Sequence, residues 1–111
     1  IDAMVIVPCS MGTLGKIAHG ISDTLIIRAA DVALKEKRPL VLVTRETPLS
    51  GIHLQNMLTL TQNGETILPP VPAYYNRPTT VEEIVTQTAA RVLLSLGIKS
   101  ESHCVWGEAH A

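Results

Sequence analysis

Leu40-Val41-Leu42-Val43, followed after Thr44 by Arg45-Glu46-Thr47-Pro48, decides how this chain is read. The run is short, wholly apolar and rich in β-branched residues, as expected of a strand buried on both faces of a parallel sheet. It ends abruptly in a cation and a carboxylate, a pair not suited to packing. The carboxyl ends of parallel strands open onto the ligand crevice of such a fold. There a guanidinium can grip an anion at two points, and a carboxylate can move a proton. Ala3-Met4-Val5-Ile6-Val7 is a second apolar run of the same kind, and it is followed by Pro8-Cys9-Ser10-Met11-Gly12-Thr13. Two strand ends carrying polar groups point to one site.

Outward from these runs, strand and helix signals alternate. Ser10 can cap a helix over residues 12–19 that stops at Gly20. Ser22 and Asp23 open a second helix through residue 37, with Leu25, Ala29, Val32 and Ala33 as its inner stripe. Pro39 prevents further helix. Ser50 caps a third helix to residue 62, with Leu54, Met57, Leu58 and Thr61 on one face, and Asn63-Gly64 closes it. Thr66-Ile67-Leu68 is a short third strand. Pro69, Pro70, Pro72 and Pro78 frame an irregular loop containing Tyr74 and Tyr75. A long helix follows over residues 79–96, with Val81, Ile84, Val85, Thr88, Val92 and Leu96 facing inward and Gly97 ending it. Residues 99–111 are polar, without pattern, and read as a tail. The alternation predicts an α/β parallel sheet flanked by helices and joined by right-handed crossovers.

The 111 residues fall within the range of one domain; 46% are hydrophobic, 17% are charged, and the net charge is −1. Such a balance leaves no electrostatic footprint for nucleic acid or an anionic membrane. No apolar run approaches the roughly 20 residues of a membrane span. Cys9 and Cys104 sit in different settings, which argues for a reducing compartment, and a cytoplasmic location is expected. The chain opens at Ile1 almost within a strand, and three strands make a thin sheet. Both features lead us to expect the later part of a longer chain.

Several residues can carry chemistry. Residues 10–13 offer free amides, two hydroxyls and a helix dipole to an anion or a polar ring edge, though an ordinary helix cap has the same residues. Gly12 leaves room for close approach to the backbone. Cys9 reads as a filler of small buried space, since no His or cation neighbours it. Arg45 and Glu46 read either as a ligand pair or as a solvated rim ion pair. Lys35, four residues after Asp31, suits a helix-surface ion pair. Arg91 lies at the margin of its helix's apolar stripe, where a cation can reach into a pocket. Tyr75 can cover an apolar ligand with its ring and bind a phosphate with its hydroxyl. His19, His53, His103 and His110 lack convincing metal spacing, and no metal is expected.

Taken together, the stretches PCSMGTLGKIAHGISDTLIIRAADVALKEKRPLVLVTRETPL, ILPPVPAYYNRP and AARVLLSLGI resemble the flavin prenyltransferase family, the UbiX type, over residues 4–98. The resemblance implies a flavodoxin-like or Rossmann-like fold lacking its N-terminal βαβ portion, with residues 1–98 as the C-terminal portion of that domain. It implies FMN as the flavin, dimethylallyl monophosphate as the prenyl donor, and transfer of the dimethylallyl group to flavin N5 and C6. The product would be prenylated FMN for UbiD-type decarboxylases, made without a metal by a dodecamer. Ser10, Met11, Gly12 and Thr13 match the family's flavin-binding turn, and Arg45 matches a flavin-contacting arginine. Lys35, Tyr75 and Arg91 match positions that hold the prenyl phosphate, and Glu46, with Lys35, matches positions that assist proton movement. Many members have Lys where this chain has Gly12. Two other readings stay open. One is an FMN-dependent decarboxylase of the cysteine-decarboxylase type; the other is a flavin-binding or assembly fragment without catalysis.

Overall fold

A computed structural model describes residues 2–98 of the chain. The tail expected over residues 99–111, with His103, Cys104 and His110, lies outside the described residues. Seven elements follow in order: β1 (Met4–Cys9), α1 (Met11–Ala18), α2 (Leu25–Lys35), β2 (Leu40–Thr44), α3 (Gly51–Gln62), β3 (Thr66–Ile67) and α4 (Val81–Ser95). The strands form one parallel sheet in the order β1-β2-β3. This is the α/β sheet flanked by helices that the alternation of signals predicts. The chain divides into two compact units, one to Pro69 and one from Pro70.

In the first unit β2 is the spine, and all five of its residues are buried. Leu40 and Leu42 join Ile6, Cys9, Leu14, Ile17, Ile27, Ala30 and Leu60 in one core. Val41 and Val43 point from the other face of the pleat and are buried as well. β1 is less covered than expected: only Ile6 and Cys9 are buried, and Val7 is exposed. Pro8 lies inside β1. The register runs Met4↔Leu40 to Ile6↔Leu42, shifts across Val7 and Pro8, and resumes at Cys9↔Thr44. A bulge is where a residue without an N–H can sit in a strand.

The helix caps explain where the helices begin. Ser10 Oγ accepts from Thr13 N at 3.1 Å, so α1 starts at Met11. α2 starts later than Ser22 and Asp23, because Thr24 Oγ1 takes the capping bond from Ile27 N at 3.2 Å. Asp23 instead pairs with Lys16 at 2.7 Å. α2 ends at Lys35 rather than residue 37, since Lys37 has φ 55°, outside the helical region. Ser50 and His53 form a reciprocal capping box on α3.

The helices turn faces inward that differ from those their periodicity suggests. α2 buries Ile27, Ala30 and Ala33, while Leu25 is 83% exposed and Val32 is exposed. Arg28, Asp31 and Lys35 fall on one side of the helix, and the face that packs inward lies away from them and carries two small residues. α3 buries Asn56 and Leu60 and half-buries Met57, leaving Leu54, Leu58 and Thr61 exposed.

The second unit consists of the proline-framed segment and α4. Thr80 Oγ1 caps α4 by accepting from Glu83 N at 3.0 Å, and the Glu83 carboxylate accepts from Thr79 N at 2.7 Å. Ala90 is the buried residue of α4. Ile84, Thr88, Val92 and Leu96 are half-buried, and Val81 and Val85 are exposed. Gly97, at φ 86°, follows the end of the helix.

Candidate functional site

The site begins with the last register pair, Cys9↔Thr44. Neighbouring strands of a sheet lie about 4.8 Å apart. Ser10 and Arg45 therefore leave adjacent strands, side by side, on the carboxyl edge of the sheet. β1 hands over directly to α1, and β2 hands over to the polar stretch Arg45-Glu46-Thr47. The expected meeting of two polar strand ends is thus built into the register.

The turn over residues 10–13 is preformed. Ser10 is extended (φ −72°, ψ 159°); its Oγ accepts from Thr13 N and lies 3.0 Å from Thr13 Oγ1, to which it donates. Leu14 N bonds Ser10 O at 2.9 Å. This leaves the amides of Met11 and Gly12 without an acceptor among the described residues, as first-turn amides of a helix are. Among the described residues a Cβ built on Gly12 meets only Ser10 Oγ, at 3.9 Å. The packing of the described residues does not require glycine there and leaves the space beside it open. Free amides at the positive end of a helix, with a guanidinium from the adjacent strand, form a donor set that fits an anion or the polar edge of a ring. These residues therefore fit a flavin mononucleotide.

Arg45 and Glu46 are exposed, and among the described residues neither side chain forms an ion pair. The rim ion pair that the sequence also allowed is absent between these two residues. Thr44, just before them, is 2% exposed and anchors the stretch to the core. Burial pushes the Cys9 thiol up to about 11, which keeps it neutral, so it serves as filler rather than nucleophile.

Lys35 is not brought to this edge by its own unit. It ends α2, and the chain then passes Pro39, whose carbonyl accepts from Met4 N at 2.9 Å, into the start of β2. That is the amino edge of the sheet, opposite Ser10 and Arg45. There Lys35 Nζ lies 3.2 Å from Asp31 Oδ2, the expected i,i+4 pair. Tyr75 and Arg91 belong to the second unit. Tyr75 lies in the proline-framed segment and is 46% exposed, and Arg91 is exposed on α4 next to buried Ala90. Among the described residues no three His, Cys, Asp or Glu side chains converge as a metal site, and no helix is long and apolar enough to cross a membrane.

Sequence reasoning missed Asn56. It is buried on α3, and its Oδ1 lies 3.0 Å from His19 Nε2. Its signal in the sequence was a polar residue between apolar Leu54 and Met57-Leu58, which the helical period had placed off the inner face.

A parallel α/β sheet with a capped turn and an arginine on neighbouring strand tips defines a ligand-binding fold of the nucleotide- and flavin-binding type. The chain belongs to the flavoprotein family, whose model matches residues 1–93. It is similar to the flavin prenyltransferase UbiX of Pseudomonas aeruginosa, with 55% identity over 109 residues, covering 98% of this chain and 52% of the relative. Among solved structures it is similar to AnUbiX (PadA1) in complex with FMN and dimethylallyl pyrophosphate. That match has a TM-score of 0.92 and 48% identity, over 98% of this chain and 58% of the other. It is also similar to the dodecameric FMN-dependent UbiX-like decarboxylase of Escherichia coli O157:H7, with a TM-score of 0.91 and 51% identity, over 97% of this chain and 58% of that one. The chain spans about half the length of the curated relatives it matches.

Proposed function

We propose that this chain contributes the carboxyl-edge half of a flavin prenyltransferase site. The reaction is transfer of a dimethylallyl group from dimethylallyl monophosphate to N5 and C6 of reduced FMN, giving prenylated FMN for UbiD-type decarboxylases. The observation that carries this reading is the Cys9↔Thr44 register, which sets the residue 10–13 turn beside Arg45. The likeness to flavin prenyltransferases, and to a structure solved with FMN and dimethylallyl pyrophosphate, supports a dimethylallyl phosphate as the substrate class.

In this reading Ser10, Met11, Gly12 and Thr13 hold FMN through the two free amides and the hydroxyls, and Arg45 adds a charge-assisted bond. The bound flavin supplies the nucleophilic ring positions. Lys35, Tyr75 and Arg91 bind the prenyl phosphate and stabilise the charge that grows on it as its bond to the allyl carbon breaks. Glu46 takes the proton that ring closure releases, beside Arg45 at the strand tip. Lys35 sits at the opposite edge from Arg45 within one chain, so its role requires a second copy. This agrees with a homo-oligomer, for which the dodecameric neighbour is the pattern. A cytoplasmic location belongs to the same reading.

The test is to incubate the chain with FMN, a reductant and dimethylallyl monophosphate, and to weigh the flavin recovered. A flavin heavier by one dimethylallyl unit supports the proposal. Flavin binding without turnover supports the non-catalytic fragment, and carbon dioxide release from a peptidyl cysteine supports the decarboxylase.

A further inference from the structure

The first unit holds a half-buried polar contact, between exposed His19 and buried Asn56, that none of these roles uses. Asn56 is 6% exposed on the inner face of α3, next to fully buried Leu60. Its amide faces one side of α1. Oδ1 lies 3.0 Å from His19 Nε2, and a Cβ placed on Gly15 would lie 3.4 Å from Nδ2. Residues 15 and 19 are one helical turn apart, so α1 presents both to the same side chain. With oxygen as the acceptor, His19 donates from Nε2.

Apart from the exposed ion pair of Lys16 with Asp23, α1 is held by apolar packing. Leu14 and Ile17 are buried and bind without directional demand. An apolar residue at position 56 would fill the space and leave α1 free to rotate or slide slightly. A buried amide is satisfied only when its partner sits at one height and rotation, and leaving it unsatisfied is costly. At position 15 a Cβ would meet the amide in ordinary van der Waals contact, so α1 runs alongside Asn56 there.

We propose that His19 and Asn56 are positioning residues, a polar pin that sets the pitch of α1 and so aims the residue 10–13 turn at the flavin. This rests on the reading of that turn as the flavin site. The lever is the helix itself. His19 caps the C-terminal end of α1, and Ser10 caps the N-terminal end, eight helical residues away. At 1.5 Å per residue the helix spans roughly 12 Å, so a tilt of about 5° at the pin moves the turn by about 1 Å. Binding sites tolerate about 0.5 Å. A small loss of restraint at one end therefore misplaces the donors at the other.

The test uses the full chain, with backbone amide NMR and FMN titration on His19→Ala, His19→Gln, Asn56→Ala and the double alanine variant. His19 is exposed, so its variants are expected to keep the fold. His19→Ala is expected to shift the amide signals of residues 10–13 and to weaken FMN binding about tenfold, the size of a coupled pair. His19→Gln, which keeps an N–H donor, is expected to restore both. The double variant is expected to bind no more weakly than Asn56→Ala alone. Unmoved amides at residues 10–13 in His19→Ala overturn the proposal, as does a glutamine no better than alanine. The two readings fail separately. If the parent chain takes up no FMN while His19→Ala still moves those amides, the flavin site is wrong and the pin stands. If the parent binds FMN and His19→Ala binds it equally with amides unmoved, the pin is wrong and the site stands.

Discussion

Replacing Arg45 with alanine separates a ligand-binding arginine from a structural one. The side chain is exposed, and among the described residues it forms no ion pair. A surface substitution of that kind changes stability by no more than about 0.5 kcal/mol. For FMN the expectation differs. Arg45 stands beside the residue 10–13 turn through the Cys9↔Thr44 pair, where it can donate to the ligand. A hydrogen bond from a charged group contributes about 1.5–3 kcal/mol, which is about 10- to 150-fold in affinity. The assay is a flavin titration by fluorescence alongside a thermal melt of both proteins. Arg45→Ala is expected to melt with its parent and bind FMN at least about tenfold more weakly. Loss of stability by more than about 1.5 kcal/mol with unchanged flavin affinity would refute the reasoning, because the strand tip would then serve the fold.

Three further expectations follow from other parts of the molecule. Arg91→Ala is expected to weaken use of dimethylallyl monophosphate far more than FMN binding; equal losses, measured by steady-state turnover and flavin titration on the folded variant, contradict its assignment. Leu14→Ala, at a fully buried position in the core, is expected to cost about 2–5 kcal/mol in a denaturant melt, since it removes apolar area and leaves a cavity. Glu65 is 8% exposed, its Oε2 has no hydrogen-bond partner among the described residues, and burial pushes its carboxyl above the usual range. The unfolded chain therefore loses this proton at lower pH than the folded one. Stability falls as pH rises from the ordinary value through the raised one, and the penalty stays above it. Glu65→Gln is expected to remove that fall, so its gain in melting temperature over the parent is larger at pH 7 than at pH 4.

What was legible in the sequence was local. The two apolar runs and their polar endings placed β1 and β2 and brought their polar ends side by side, because a buried strand and a helix cap each leave a mark within a few residues. Ser10 and Ser50 were found as caps for that reason. Thr24 was not, because Ser22 and Asp23 were equally good caps until Lys16 drew Asp23 away. Helix faces were poorly legible. α2 carries an apolar stripe at Leu25, Ala29 and Val32 and a second at Ile27, Ala30 and Ala33, and the buried one is the stripe farther from charged Arg28, Asp31 and Lys35. The bulge at Val7 and Pro8 needed the partner strand to be seen, and the contact of His19 with Asn56 joins residues 37 positions apart. Lys35 was recoverable in principle: a helix that feeds the start of a strand ends at the amino edge, away from the strand tips.

The central claim is that the residue 10–13 turn and the Arg45-Glu46 strand tip form one flavin-binding edge. Titrating isotope-labelled chain with FMN and following backbone amides tests it most directly. Signals from Ser10, Met11, Gly12 and Thr13 are expected to move together with those of Arg45 and Glu46, along curves that share one dissociation constant. Movement of one group while the other stays still would contradict it.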